Sequence, residues 1–144
     1  MLRYRLIHPE LLAGLAGAGH GSRVLLADAL YPHDTGAPAV ARRVHLNLTP
    51  GTVAIPELLP LVAEACHVEA VDFMADADGG ASPTVQQCQQ LLADHRHWGG
   101  QPVRWSPVER MAFYDLARDP TVTMVVATGE VQPYSNLLLT IGVP

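Results

Sequence analysis

Lysine is absent from this chain, and all nine positive side chains are arginine. Without an amine side chain there is no Schiff-base chemistry and no P-loop phosphate lysine. That excludes pyridoxal enzymes, lysine-dependent aldolases and P-loop NTPases. Charge of either sign is scarce, at 16% of residues with a formal net charge of −5, so no basic footprint offers itself to nucleic acid or to an anionic membrane. Only two cysteines occur, Cys66 and Cys88, both in stretches that read as helical, and they are expected as reduced core thiols. Pro, Glu or Asp interrupts every apolar run before it reaches the length of a membrane span. No signal-peptide pattern opens the sequence, and a soluble, cytoplasmic protein is the expectation.

Several familiar motifs are also missing. No G-x-S-x-G elbow occurs. The glycines of AGAGHGS follow a helical pattern and precede a strand, the reverse of a dinucleotide-binding turn. Asp76-Ala77-Asp78-Gly79-Gly80 lacks the later ligands of a calcium loop. His95 and His97 have no Cys or Glu at zinc spacing and read as a surface pair. No metal and no cofactor are expected.

What the chain does have is apolar mass, with 49% hydrophobic residues in 144, enough for one domain over 1–144 with a large core, part of which is expected to be an oligomer interface. Pro9 opens a helix carrying Leu11, Leu12 and Leu15, with Gly19 as its stop. Val24 to Ala29 reads as a buried strand, and a loop rich in Pro, Gly and His follows. Further helices are expected from Ile55 to Cys66 and from Ser82-Pro83 to His95, with strands at Glu69 to Ala75 and Val103 to Trp105. Ser106-Pro107-Val108-Glu109 reads as a capping box opening a helix that carries Arg110, Phe113 and Tyr114. Thr123 to Ala127 and Leu137 to Ile141 are strand-like and flank the polar turn TGEVQPYSN. Strands interleaved with helices predict an α/β layered domain. The sheet should be mixed, because the last two strands are joined too tightly for a helical crossover.

Polar residues collect at the ends of apolar strands and at loop mouths: His20, Asp28, Arg110, Glu130, Tyr134 and Asn136. Ligands of layered α/β folds bind at such places. Taken singly, each also fits turn or surface chemistry. Asp28 is the least easily dismissed, since an aspartate ending VLLAD needs a partner for its charge. Three readings are open from these residues: acid/base chemistry on a small neutral ligand, a module that only binds it, or a hydrolase using Asp28 and Glu130 as a carboxylate pair.

GHG followed by VLLADALYP, then ERMAFY, then VVATGEVQPYSNLLLTIGV resemble the RbsD/FucU family of sugar mutarotases, in order and over nearly the whole chain. The resemblance implies a three-layer α/β/α domain and no cofactor. It implies His20 as the acid/base residue and Asp28, Arg110, Tyr134, Ser135 and Asn136 as the monosaccharide-binding set, with Tyr134 able to relay a second proton. It also implies a decamer of two pentameric rings whose sites are completed by neighbouring subunits. ERMAFY resembles the fucose branch, whereas RRVHLNLTPG and QPYSN resemble the ribose branch. L-fucose is the expected sugar, with D-ribose pyranase activity or simple sugar binding as the alternatives.

Overall fold

Val24, Leu25, Leu26 and Ala27 are apolar in succession, and only a strand covered on both faces can bury such a run. The computed structural model, which describes residues 2–3 and 5–144, places them at the centre of a sheet. The elements follow in the order α1 (Pro9–Gly17), β1 (Arg23–Ala27), β2 (Arg42–His45), α2 (Ile55–Ala65), β3 (Val68–Met74) and α3 (Pro83–Leu91). After these come β4 (Arg96–His97), β5 (Gln101–Pro102), β6 (Arg104–Val108), α4 (Arg110–Ala117), β7 (Val122–Ala127) and β8 (Leu137–Ile141). Six strands form one sheet in the order β2-β7-β1-β8-β3-β6, and β4 pairs with β5 in a separate hairpin. β8 runs antiparallel to both of its neighbours, β1 and β3, while the other pairings are parallel.

Side-chain alternation then sorts the core into two layers. Val24, Leu26, Met124, Val126, Leu137 and Leu139 face α1, α2 and α3, where Leu11, Leu15, Leu58, Leu59, Val62 and Val85 meet them. Leu25, Ala27, Val125 and Leu138 face the other way, onto Tyr31 and onto Phe113 and Ala117 of α4. Helices thus cover both faces of the mixed sheet, as expected. Burial pushes the thiols up, to about 11 for Cys66 and about 12 for Cys88, and both cysteines are unpaired.

Four local expectations are corrected. Ser106-Pro107 does not open a helix: both lie in β6, whose residues Ser106, Pro107 and Val108 stand opposite Asp72, Phe73 and Met74 of β3. β6 is an edge strand, where the missing N–H of Pro107 costs no ladder bond. The cap of α4 is Glu109 itself, whose Oε2 accepts from the N–H groups of Met111 (2.8 Å) and Ala112 (3.1 Å). Strand β2, unforeseen in the Pro/Gly loop, carries Arg-Arg-Val-His, and as a charged edge strand it shows no apolar run to detect. Helix α3 begins at its expected Ser82 cap but ends at Leu91, and β4 and β5 follow, joined through Gly99 and Gly100 at positive φ. Finally, β7 and β8 are joined by a tight turn but do not pair, because β1 lies between them.

The turn after β7 docks against the loop before α2. Gly51 N–H donates to the Gly129 carbonyl (2.6 Å) and Gly129 N–H to that of Val53 (2.9 Å). A Cβ at Gly129 would overlap the Thr52 carbonyl oxygen and carbon, both backbone atoms with no rotamer to give. Gly129→Ala is therefore expected to lose about 1–3 kcal/mol through overpacking, read as a lower urea midpoint with unchanged slope. An unchanged midpoint would contradict this contact.

Candidate functional site

The parallel strands β1, β3, β6 and β7 all end at one edge of the sheet, and antiparallel β8 begins there. Asp28 follows β1, Met74 ends β3, Arg110 follows β6, and Tyr134 to Asn136 lead into β8. This is the carboxyl edge at which α/β sheets place ligands. A cavity of about 180 Å³ opens at this edge, lined by Asp28, Leu30, Tyr31, Met74, Arg110, Tyr114, Pro133, Tyr134 and Asn136. It is smaller than the roughly 300–1,000 Å³ of drug-sized sites and suits a compact polar ligand.

Asp28 is 2% exposed, and both of its carboxylate oxygens accept hydrogen bonds. Its Oδ1 accepts from Leu30 N–H (3.0 Å), and its Oδ2 accepts from Asn136 Nδ2 (2.8 Å) and Ser135 N–H (3.4 Å). In return Asp28 N–H donates to Asn136 Oδ1 (2.9 Å), so the Asn136 amide is fixed in orientation at both ends. Desolvation raises the Asp28 carboxyl above its ordinary 3.8, against the lowering pull of the Leu30, Ser135, Tyr31 and Asn136 hydrogen bonds.

Aromatic rings build the walls. Tyr134 has φ +60°, an αL conformation uncommon for a bulky side chain, whose cost of about 1–3 kcal/mol is held by its buried neighbours Ser135 and Asn136. Arg110, exposed at the start of α4, holds its guanidinium carbon 5.8 Å from the Tyr114 ring centroid, within cation–π reach. Tyr114 in turn packs on Tyr31 at 5.5 Å, and the Tyr31 hydroxyl donates to the Gly36 carbonyl (2.7 Å). Burial pushes the Tyr31 phenol up to about 12, so it serves as a wall rather than as an acid near neutral pH.

Of the residues singled out in the sequence, Asp28, Arg110, Tyr134 and Asn136 thus share one cavity. Ser135 is buried and contributes its N–H to Asp28, while its hydroxyl lies 3.4 Å from that of Ser82, away from the cavity lining. Glu130 accepts from Gln132 N–H (2.9 Å) and borders a different hollow with Glu57, Thr84 and Gln87. Asp28 and Glu130 thus line different hollows, and no shared cavity supports the hydrolase reading.

His20 lies elsewhere in the protomer. It precedes β1, whose five residues span about 13 Å before Asp28 is reached at the other end. Its neighbours are Glu69, His97, Trp98, Gln101 and Val143 at the amino edge of the sheet. Sequence reasoning singled out neither Glu69 nor the Tyr31–Tyr114 wall, although Tyr114 stands one helical turn after Arg110 and so on the same face. His95 and His97, expected at the surface, are half-buried, and burial lowers the His95 imidazole from its ordinary value. Among the described residues, no group of three His, Cys, Asp or Glu is arranged to hold a metal, and no helix is long and apolar enough to cross a membrane.

The model of the RbsD / FucU transport protein family matches residues 1–144. This chain belongs to that family. It is 33% identical to the fucose mutarotase of Danio rerio, over 94% of this chain and 88% of the relative. It is 32% identical to the D-ribose pyranase of Paracidovorax citrulli, over 99% of this chain and 98% of the relative. Among solved structures it resembles the fucose mutarotase of Streptococcus pneumoniae in complex with L-fucose, with a TM-score of 0.80 and 26% identity over 100% of this chain and 99% of the other.

The buried carboxyl yields a pH prediction. Because folding raises the Asp28 pKa above 3.8, the folded state holds this proton more tightly than the unfolded chain does. The contribution is fully present below the unfolded value and is lost as pH rises through the folded one. The unfolding free energy of the wild type relative to Asp28→Asn, which does not titrate, should accordingly fall as pH climbs from below 3.8 through the folded pKa. Urea titrations at a series of pH values read this difference, and a rising difference would contradict the assignment of desolvation as the dominant cause.

Proposed function

We propose that this protein is a sugar mutarotase, an isomerase that opens and recloses the ring of a free monosaccharide, with L-fucose as the preferred sugar. One observation carries the reading: in a chain of this family, Asp28, Asn136, Arg110 and Tyr134 converge on one small polar cavity at the carboxyl edge of the sheet. The whole chain, 1–144, acts as one such domain.

Ring opening requires a base for the anomeric hydroxyl and an acid for the ring oxygen. The proton passes from the anomeric O–H to His20, the electron pair left on that oxygen forms the carbonyl, and the C1–O5 bond breaks. The ring oxygen takes a proton from the Tyr134 hydroxyl, and the reverse steps on the other face of the aldehyde give the other anomer. An imidazole is suited to exchanging protons in both directions near neutral pH. Asp28 and Asn136 hold hydroxyls at the floor, and Arg110 offers a fork of donors at the rim. The chemistry calls on no metal or redox group.

Since His20 and Asp28 stand at opposite ends of β1, the site needs His20 from a neighbouring subunit. A decamer of two pentameric rings, working in the cytoplasm, supplies it in this reading. The exposed apolar side chains Leu30, Val40, Leu48, Met111 and Val131 are the material for such contacts. D-ribose stays the alternative sugar on the D-ribose pyranase match, which covers 98% of that relative, without being favoured over fucose.

NMR saturation transfer on an L-fucose and D-ribose panel tests the reaction. Exchange between the α and β anomers of L-fucose should far exceed that in buffer, and His20→Ala should lower it by about a hundredfold to ten-thousandfold. Arg110→Ala should weaken sugar binding while leaving the fold intact. No enhanced exchange with any aldose would overturn the mutarotase reading, and exchange confined to ribose would overturn the fucose preference. The shared site has its own test. Co-refolding inactive His20→Ala and Asp28→Asn chains in equal amounts should restore activity at about one quarter of the sites, by random assortment around a closed ring. No recovery would oppose a site built from two subunits.

A further inference from the structure

His20 shares its hollow with an indole that neither core layer uses. The hollow measures about 330 Å³, and Trp98 and Val143 line it together with the histidine. Its surface is mainly apolar, whereas that of the Asp28 cavity is more polar than apolar. Of the two tryptophans, Trp105 packs against the core, while Trp98 is 65% exposed. Trp98 stands at the tip of the β4–β5 hairpin, where Gly99 (φ +65°) and Gly100 (φ +75°) return the chain through the left-handed region. Below the tip, Gln101 N–H donates to the Trp98 carbonyl and His97 Nε2 donates to the Pro102 carbonyl (3.2 Å), so the hairpin is fastened while the indole stays open to solvent. Across the hollow, Gly21 N–H donates to the Ile141 carbonyl (2.9 Å) and Gly142 N–H to that of His67 (2.8 Å), which holds the His20 turn at the end of β8.

In the proposed reaction the hydroxyls of the sugar meet Asp28, Asn136 and Arg110, and His20 meets the anomeric oxygen. C6 of L-fucose is a methyl group on C5, and C5 is bonded to the ring oxygen. The methyl therefore lies next to the bond that opens, on the part of the sugar that His20 approaches. We propose that Trp98, carried by the same subunit as that His20, packs its indole against this methyl-bearing side and so selects a 6-deoxy sugar, a role that rests on the mutarotase reading of the site. An aromatic face removes an aliphatic group from water while the rest of the ring stays wet, which suits a half-open residue of this kind. Trp98 binds only, and no proton passes through it.

Anomer exchange of L-fucose and of D-arabinose, which has the same ring configuration with hydrogen in place of the methyl group, reads the selection. The wild type should prefer L-fucose at least about tenfold in kcat/KM, the worth of one aliphatic carbon in an apolar pocket. Trp98→Ala should raise the KM for L-fucose about tenfold with kcat within about threefold, and the KM for D-arabinose less than about threefold. Trp98→Phe, which keeps an aromatic face, should retain most of the preference. Binding is read separately from turnover in Trp105→Phe, where Trp98 is the sole indole: its emission should move to shorter wavelength on adding L-fucose. If that variant does not fold, a shift present in the wild type and lost in Trp98→Phe reads the same contact. No exchange in the wild type overturns the mutarotase reading. With exchange present, an unchanged sugar preference in assembled Trp98→Ala, or an equal rise in KM for both sugars, overturns the role of Trp98. If light scattering shows that Trp98→Ala no longer assembles, the emission decides, and an indole that does not respond to L-fucose is a subunit contact and overturns the proposal.

Discussion

The reciprocal pairing of Asp28 with Asn136 fixes where the sheet's two halves meet. Asp28 ends β1 and Asn136 precedes β8, and their bonds run both ways, from backbone to side-chain amide and from amide to carboxylate. A buried carboxylate without donors costs several kcal/mol, so these groups have little freedom to be elsewhere. Once they are joined, the Tyr134 turn is held beside the end of β1, and the cavity acquires its floor.

Antiparallel β8 makes this pairing useful. Because it runs against β1 and β3, its start lies at the carboxyl edge and its end at the amino edge. One strand therefore delivers Asn136 to the cavity and Gly142 to the neighbourhood of His20 and Glu69. In the proposed reaction both ends of the strand carry chemistry, and they are too far apart for one sugar to touch both. A molecule built this way needs a second copy to complete the reaction proposed for it.

Stability and activity draw on different parts of this design. The core is apolar on both faces of the sheet and tolerates no free carboxylate, which is why desolvation raises Asp28 despite its donors. In the proposed reaction such a carboxyl is a responsive hydroxyl partner, because its hydrogen bonds are made in a dry, preorganised setting. The rim is the opposite case, since Arg110 is exposed and the contribution proposed for it lies in the donors it offers rather than in burial.

Composition and pattern determined much by themselves. The continuous apolar runs of β1, β7 and β8 required strands buried on both faces, and the spacing of Leu11, Leu15, Leu58 and Val62 required helices against them. Asp28, Arg110, Tyr134 and Asn136 were legible as a set because polar residues at strand ends are conspicuous in so apolar a chain. Strand β2 and the true start of α4 were not legible, since edge strands carry charge and proline without penalty and so lose their apolar signature. Nor was the separation of His20 from Asp28, the exclusion of Glu130 from the cavity, or the approach of Glu69 to His20. Each of these depends on which strands become neighbours and in which direction they run. Long-range hydrogen bonding between strand edges settles that order, and no local pattern of side chains encodes it.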